Sequence, residues 1–164
     1  MRISAESTTQ SDAIDGTPLQ QVLSPLHEAW ITEARWFLDP ASHASAPFWD
    51  RWSVVRYLND QFPARFDLQR ILVRELRPSL EPRHIEAIDG GAERLTRLRL
   101  ALDRIGRRRG TAAEFAPIVE EFLAALELWC AEVELAVRNL DRGQLSQEGR
   151  QVLTLIESTT SPAI

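Results

Sequence analysis

Few residues in this chain have types and spacings that could do chemistry. In "EPRH", Glu81 and His84 stand three apart, so one helical turn aims a carboxylate and an imidazole at a common point, as a metal ion requires. Glu28, beside His27 on an earlier segment, and Glu132 or Glu134 on a later one are further acids that could converge with them. Cys130 is the only thiol. It follows Trp129 within a helical pattern, where a lone cysteine packs as a small apolar residue rather than serving as a nucleophile. No phosphate-cradling glycine loop and no serine, histidine and acid set can be read from the chain. The expectation is a non-catalytic protein with no cofactor.

The second cluster is "DRIGRRRGTAAEF", in which Arg107, Arg108 and Arg109 stand between Gly106 and Gly110 with Arg104 just before them. Guanidiniums near a helix C-terminus offset exposed carbonyl dipoles, and a glycine there supplies a left-handed residue, so a charged interhelical corner accounts for every residue type. The functional alternatives are a phosphate or carboxylate site at the start of the next helix, an acidic protein surface, or a nucleic-acid backbone. Against nucleic acid stand the lack of neighbouring aromatics for base stacking and the acidic helix that follows. Docking to an acidic protein is the preferred functional reading of the cluster.

The third cluster is aromatic. Of five tryptophans, Trp30, Trp52 and Trp129 fall on helical apolar stripes, whereas Trp36 and Trp49 fall beside them, next to Phe37 and Phe48. Trp36 and Trp49 flank the "PASHASAP" loop and have Arg35 and Arg51 for neighbours. Tryptophan and arginine dominate interface hot spots, so these four residues are candidate partner contacts.

The elements that must carry these residues read as helices. Ser24 and Pro25 suit the start of a helix that ends at Asp39-Pro40, with Leu26, Trp30, Ala34 and Phe37 as its stripe and Leu19, Val22 and Leu23 as a kinked extension. A second helix covers 48–78, its seam Phe48, Trp52, Val55, Asn59, Phe62 and Phe66, with Pro63 kinking or splitting it. Asn59 on that seam would set register, line a pocket, or turn outwards at the kink. A third helix runs from about Pro82 to Arg107 on Ile88, Ala92, Leu95, Leu98, Leu102 and Ile105, with Gly90-Gly91 marking a break or a close contact. The fourth opens on a Thr111–Glu114 capping box. Its stripe comprises Phe115, Val119, Phe122, Leu126, Trp129 and Val133, then Val137 and Leu140. A short fifth helix spans Ser146–Glu157. The expected fold is all-α: an up-and-down antiparallel four-helix bundle with a short fifth C-terminal helix, a flexible arm at 1–17, one domain at 18–157 and a tail at 158–164. In such a bundle the 40–47 loop and the arginine corner share one end.

At 164 residues the chain holds one domain of ordinary globular composition, 44% apolar and 26% charged. It has no membrane-length apolar run, and its polar first residues lack the apolar core of a secretory signal, so a cytoplasmic, non-membrane protein is expected. All 19 basic residues are arginine. Residues 1–63 carry 4 Arg against 8 acids, residues 64–109 carry 12 against 7, and residues 110–164 carry 3 against 9. A net charge of −5 disfavours a general nucleic-acid binder but leaves a basic middle segment able to meet an acidic surface, another copy of the chain included.

The Glu-x-x-His spacing of Glu81 and His84 resembles that of carboxylate di-iron bundles. The placement of a histidine ahead of one long helix and of "LWCAEVE" on the next is similar to hemerythrin-type bundles, which use histidine-rich iron sites. The resemblance covers a few residues only. The chain departs from it in having three histidines in all, no second Glu-x-x-His, and Trp129 where a ligand would stand. Two functions follow as expectations beside the preferred one, an interaction protein (adaptor, regulator or subunit) using Arg104, Arg107–Arg109, Arg35, Arg51, Trp36 and Trp49. One is a degenerate metal- or small-ligand-binding bundle. The other is a small nucleoprotein subunit contacting phosphate backbone.

Overall fold

The computed structural model describes residues 16–39 and 50–160. Among them every regular element is helical: α1 (Leu19–Leu38), α2 (Arg51–Arg56), a π-helical turn (Tyr57–Gln61), α3 (Phe62–Leu76), α4 (Pro82–Arg107), α5 (Ala112–Ala136) and α6 (Gln147–Thr160). No described helix is long and apolar enough to cross a membrane. α2, the π turn and α3 run on as one bent rod. That rod forms the antiparallel four-helix bundle with α1, α4 and α5; α4 packs on α5 and α2, α1 packs on α5, and α6 fills the space between α1 and α3.

α5 forms where its sequence says it should. Thr111 Oγ1 accepts from the Glu114 amide while Glu114 accepts from the Thr111 amide, and the whole expected stripe from Phe115 to Leu140 is buried. α4 also keeps its stripe and passes unbroken through Gly90-Gly91. Gly91 is there for contact: a Cβ would come within 2.9 Å of the Trp129 ring, whereas Gly90 faces open space. α6 reaches Thr160, beyond the expected end at Glu157.

α1 starts at Leu19 with Pro25 inside it, so the extension before Ser24 forms as part of the helix. Leu19 and Leu23 are fully buried, and the Leu19 amide donates to Leu140 O at 2.9 Å, so tertiary anchoring extends the helix through the proline. The core stripe of α1 keeps Trp30 and Ala34, but His27 (1% exposed) and Leu38 are buried beside them while Leu26 and Phe37 are only partly so.

The second rod departs further. Trp52, expected in the core, is 57% exposed, and Asn59 lies on the surface. The cause is the π turn before Pro63. Proline has no amide hydrogen, and in a regular helix its ring would crowd the carbonyl of Asn59. The chain inserts one residue into that turn instead, the Phe62 amide donating to Tyr57 O five residues back. Every seam position before the proline therefore moves back by one. Leu58 and Val54 join the expected Val55 in the core and Arg51 is half-buried in place of Trp52, while Asn59 takes the outward turn at the kink that was one of its expected alternatives. The outward-turned Asn59 donates from Nδ2 to Val55 O and to Asp103 Oδ1, both at 2.8 Å. Phe48 lies outside the described residues.

Candidate functional site

The arginine corner closes α4 with a Schellman motif. The Gly110 amide donates to Ile105 O at 2.8 Å and the Arg109 amide to Gly106 O at 3.2 Å. The left-handed residue is Arg109, with φ 61°, and not a glycine. Both glycines serve close approach instead. A Cβ on Gly106 would sit 2.3 Å from Val55 Cγ2, where α4 crosses α2, and one on Gly110 would sit 2.2 Å from Ile105 Cγ2. Placing arginine at the left-handed position costs about 1 kcal/mol relative to glycine. Arg109→Gly should therefore stabilise the chain by about that amount, read as a higher urea midpoint with an unchanged slope. A midpoint that stays put or drops would mean that residue 109 does not hold this backbone conformation.

Two of the three consecutive guanidiniums are engaged within the chain. Arg107 Nε donates to Asp103 Oδ2 at 2.8 Å, and Arg108 reaches Glu114 at 3.4 Å. Partial burial works against ionisation of Asp103. Hydrogen bonds from Asn59 and Arg107, with the charges of Arg107 and Arg99, outweigh it and hold its carboxyl below the usual aspartate range. Arg104 and Arg109 are exposed and have no acidic partner among the described residues.

The corner shares an end of the bundle with the chain segments that flank the 40–49 stretch. Asp39 lies in one groove with Ala116 and Val119 at the start of α5, and Val55 meets Gly106. At this end Trp36 is 53% exposed and Trp52 is exposed as well. The Arg51 guanidinium lies over the Trp52 ring, 5.2 Å from its centroid, and Arg35 bridges to Glu127 at 2.6 Å. Trp49 lies outside the described residues. Trp52 thus joins an exposed aromatic set that the helical spacing alone assigned to the core.

The candidate metal residues are dispersed. His84 is buried and faces Glu132 across α4 and α5 at 3.9 Å. Glu81 is an exposed N-cap residue whose carboxylate pairs with Arg83 at 2.8 Å, and Glu28 lines a groove between α1 and α5. Among the described residues no three His, Cys, Asp or Glu side chains gather as metal ligands would.

No protein-family model, curated protein or solved structure matches the chain. The reading of its sites rests on their own geometry.

Two arrangements were not anticipated from the sequence. His27 Nδ1 donates to Glu134 Oε1 at 2.7 Å and Nε2 meets the Gln69 side-chain amide at 3.2 Å, so one imidazole links α1, α5 and α3. A carboxylate–imidazole pair can serve a nucleophile only through the second nitrogen, which Gln69 occupies here; the contact is a crosslink. Cys130 lies behind it. Burial, then the charges of Glu134 and Glu127, push its thiol up and away from the thiolate form. The second arrangement is a cleft of 470 Å³ between α3 and α4, with Arg70, Arg74 and Arg77 on one wall, Asp89 and Ala92 on the other, and Trp129 beneath. Arg77 closes one rim by a two-point contact with Asp89, at 3.3 and 2.5 Å. The signal that could have located this cleft was the arginine excess of residues 64–109.

Proposed function

We propose that this chain is a non-catalytic helical-bundle interaction protein, an adaptor or subunit that docks an acidic surface of a partner protein through its tryptophan- and arginine-bearing end. The observation that carries this reading is the exposure of Trp36 and Trp52 at the end where Arg104 and Arg109 stand without acidic partners. Two large aromatics in water cost the isolated chain apolar hydration, and a recognition surface explains their position: indole area supplies affinity and guanidiniums supply orientation and selectivity for carboxylates.

The test is native co-purification of the unaltered chain beside the W36A/W52A double variant, with mass spectrometry and metal analysis of both samples. The expected result is a stoichiometric protein held by the unaltered chain and lost from the variant, with thermal unfolding of the two chains alike, since neither indole contributes to the core. A partner retained equally by both, or a homogeneous chain that carries metal and no partner, would overturn the reading.

A further inference from the structure

α5 shows apolar residues on two faces. One is the buried stripe. The other, turned outwards, comprises Pro117, Glu121, Ala124, Leu128, Ala131 and Leu135, all exposed and spaced 4-3-4-3-4. That is the heptad spacing by which one helix seats another. Leu128 and Leu135 are 57% and 41% exposed, and the one charged seam member, Glu121, is bridged by Arg94 of α4 at 3.2 Å.

Beside the seam lies the groove between α1 and α5, in two stretches of 420 and 330 Å³ on either side of the Arg35–Glu127 bridge. Its floor is apolar: Val119, Leu123 and Ala124 in one stretch, Ile31, Cys130 and Ala131 in the other. Its run along α1, from Ser24 to Asp39, is ~22 Å, about four helical turns. The rim is strongly one-sided in charge. Glu28, Asp39, Glu120, Glu127 and Glu134 face a single guanidinium, Arg35. Glu127 is held by Arg35 and Glu134 by His27, while Glu28 and Glu120 have no cationic partner among the described residues.

We propose that this face is a docking site for a basic amphipathic helix of a partner protein. The small side chains of Ala124 and Ala131 let a helix approach closely, with Leu128 and Leu135 as ridges for its apolar face. The acidic rim selects lysine and arginine on its flanks. The groove adjoins the tryptophan end at Asp39 and Ala116, and its acidic rim is opposite in charge to the arginine corner there.

The test uses the full chain and a synthetic, fluorophore-labelled helical peptide with leucine at every a and d position and lysine on the flanks. A second peptide with glutamate on the flanks is the control. Anisotropy titration is expected to show saturable binding of the lysine peptide that weakens with added salt, and none of the glutamate peptide. Leu128→Glu should weaken binding about tenfold or more, because it places a charge in the seam. The E28Q/E120Q double variant, which touches no core residue, should weaken it several-fold and flatten the salt dependence. Equal binding of both peptides, no saturable binding, or full binding by E28Q/E120Q would each overturn the proposal. So would sedimentation showing a dimer of the chain that Leu128→Glu dissociates, since the occupant would then be a second copy.

Discussion

Trp129→Ala is expected to destabilise the chain by about 3–5 kcal/mol, the range for deleting a fully buried tryptophan, and to lower the thermal midpoint by about 10 °C. The indole is 1% exposed and stands where four helices meet. It meets Trp30 edge-on at 6.3 Å and Phe66 at 5.2 Å, and its Nε1–H donates to Ile88 O at 3.1 Å. Gly91 leaves room for the ring, so alanine opens a cavity that rigid α4 backbone cannot readily fill. Trp129→Phe separates the contributions: it keeps much of the apolar contact and loses the hydrogen bond. The same substitution to alanine at exposed Trp36 should stay within about 0.5 kcal/mol. A Trp129→Ala midpoint within a few degrees of the unaltered chain would sink this account of the core.

The second large effect is alkaline lability. Tyr57 is the only tyrosine and is fully buried. Burial, then the nearby Glu33 charge, raise its phenol well above the ordinary value, against opposing effects of Arg65 and of the Trp30 indole. The Trp30 N–H lies near the hydroxyl without meeting hydrogen-bond geometry. Cys130 is raised too, by burial first. Both groups are raised in the folded state, so their contribution to stability is complete below the unfolded values, about 8.5 for the thiol and about 10 for the phenol, and declines above them. Each then costs about 1.4 kcal/mol per pH unit, together about 5 kcal/mol by roughly pH 11. Urea unfolding of the unaltered chain, Tyr57→Phe and Cys130→Ala at several alkaline pH values should show each variant losing its own share of the slope. With one tyrosine, tyrosinate absorbance should stay silent until the chain unfolds. Early tyrosinate, or equal slopes in all three chains, would contradict the burial argument.

The legible parts of the fold are those where local and tertiary demands agree. The stripe and capping box of α5 could be read residue by residue because both favour the same helix at the same phase. In α1, Ser24 and Pro25 make a good start in isolation, and the extension back to Leu19 is secured by burial of Leu19 and Leu23 against the distant Leu140 segment. The second rod was misphased because Pro63 announces a distortion without saying whether the helix breaks or widens. That choice hid the exposure of Trp52. The corner was legible as a corner, yet its left-handed residue was not, since two glycines stood beside it and both were needed for steric clearance. The His27 crosslink left almost no local trace: its three partners are spread over three helices.

The π turn has a consequence for how the tryptophan end can vary. By shifting the phase of everything before it, Pro63 decides which side chains α2 presents to solvent. The display of Trp52 is thus controlled more than two turns away, at Pro63, before which the π turn forms. Substitutions at the tip can change the chemistry of the surface there, but its orientation is set downstream, so that aim and composition are separately adjustable in this chain.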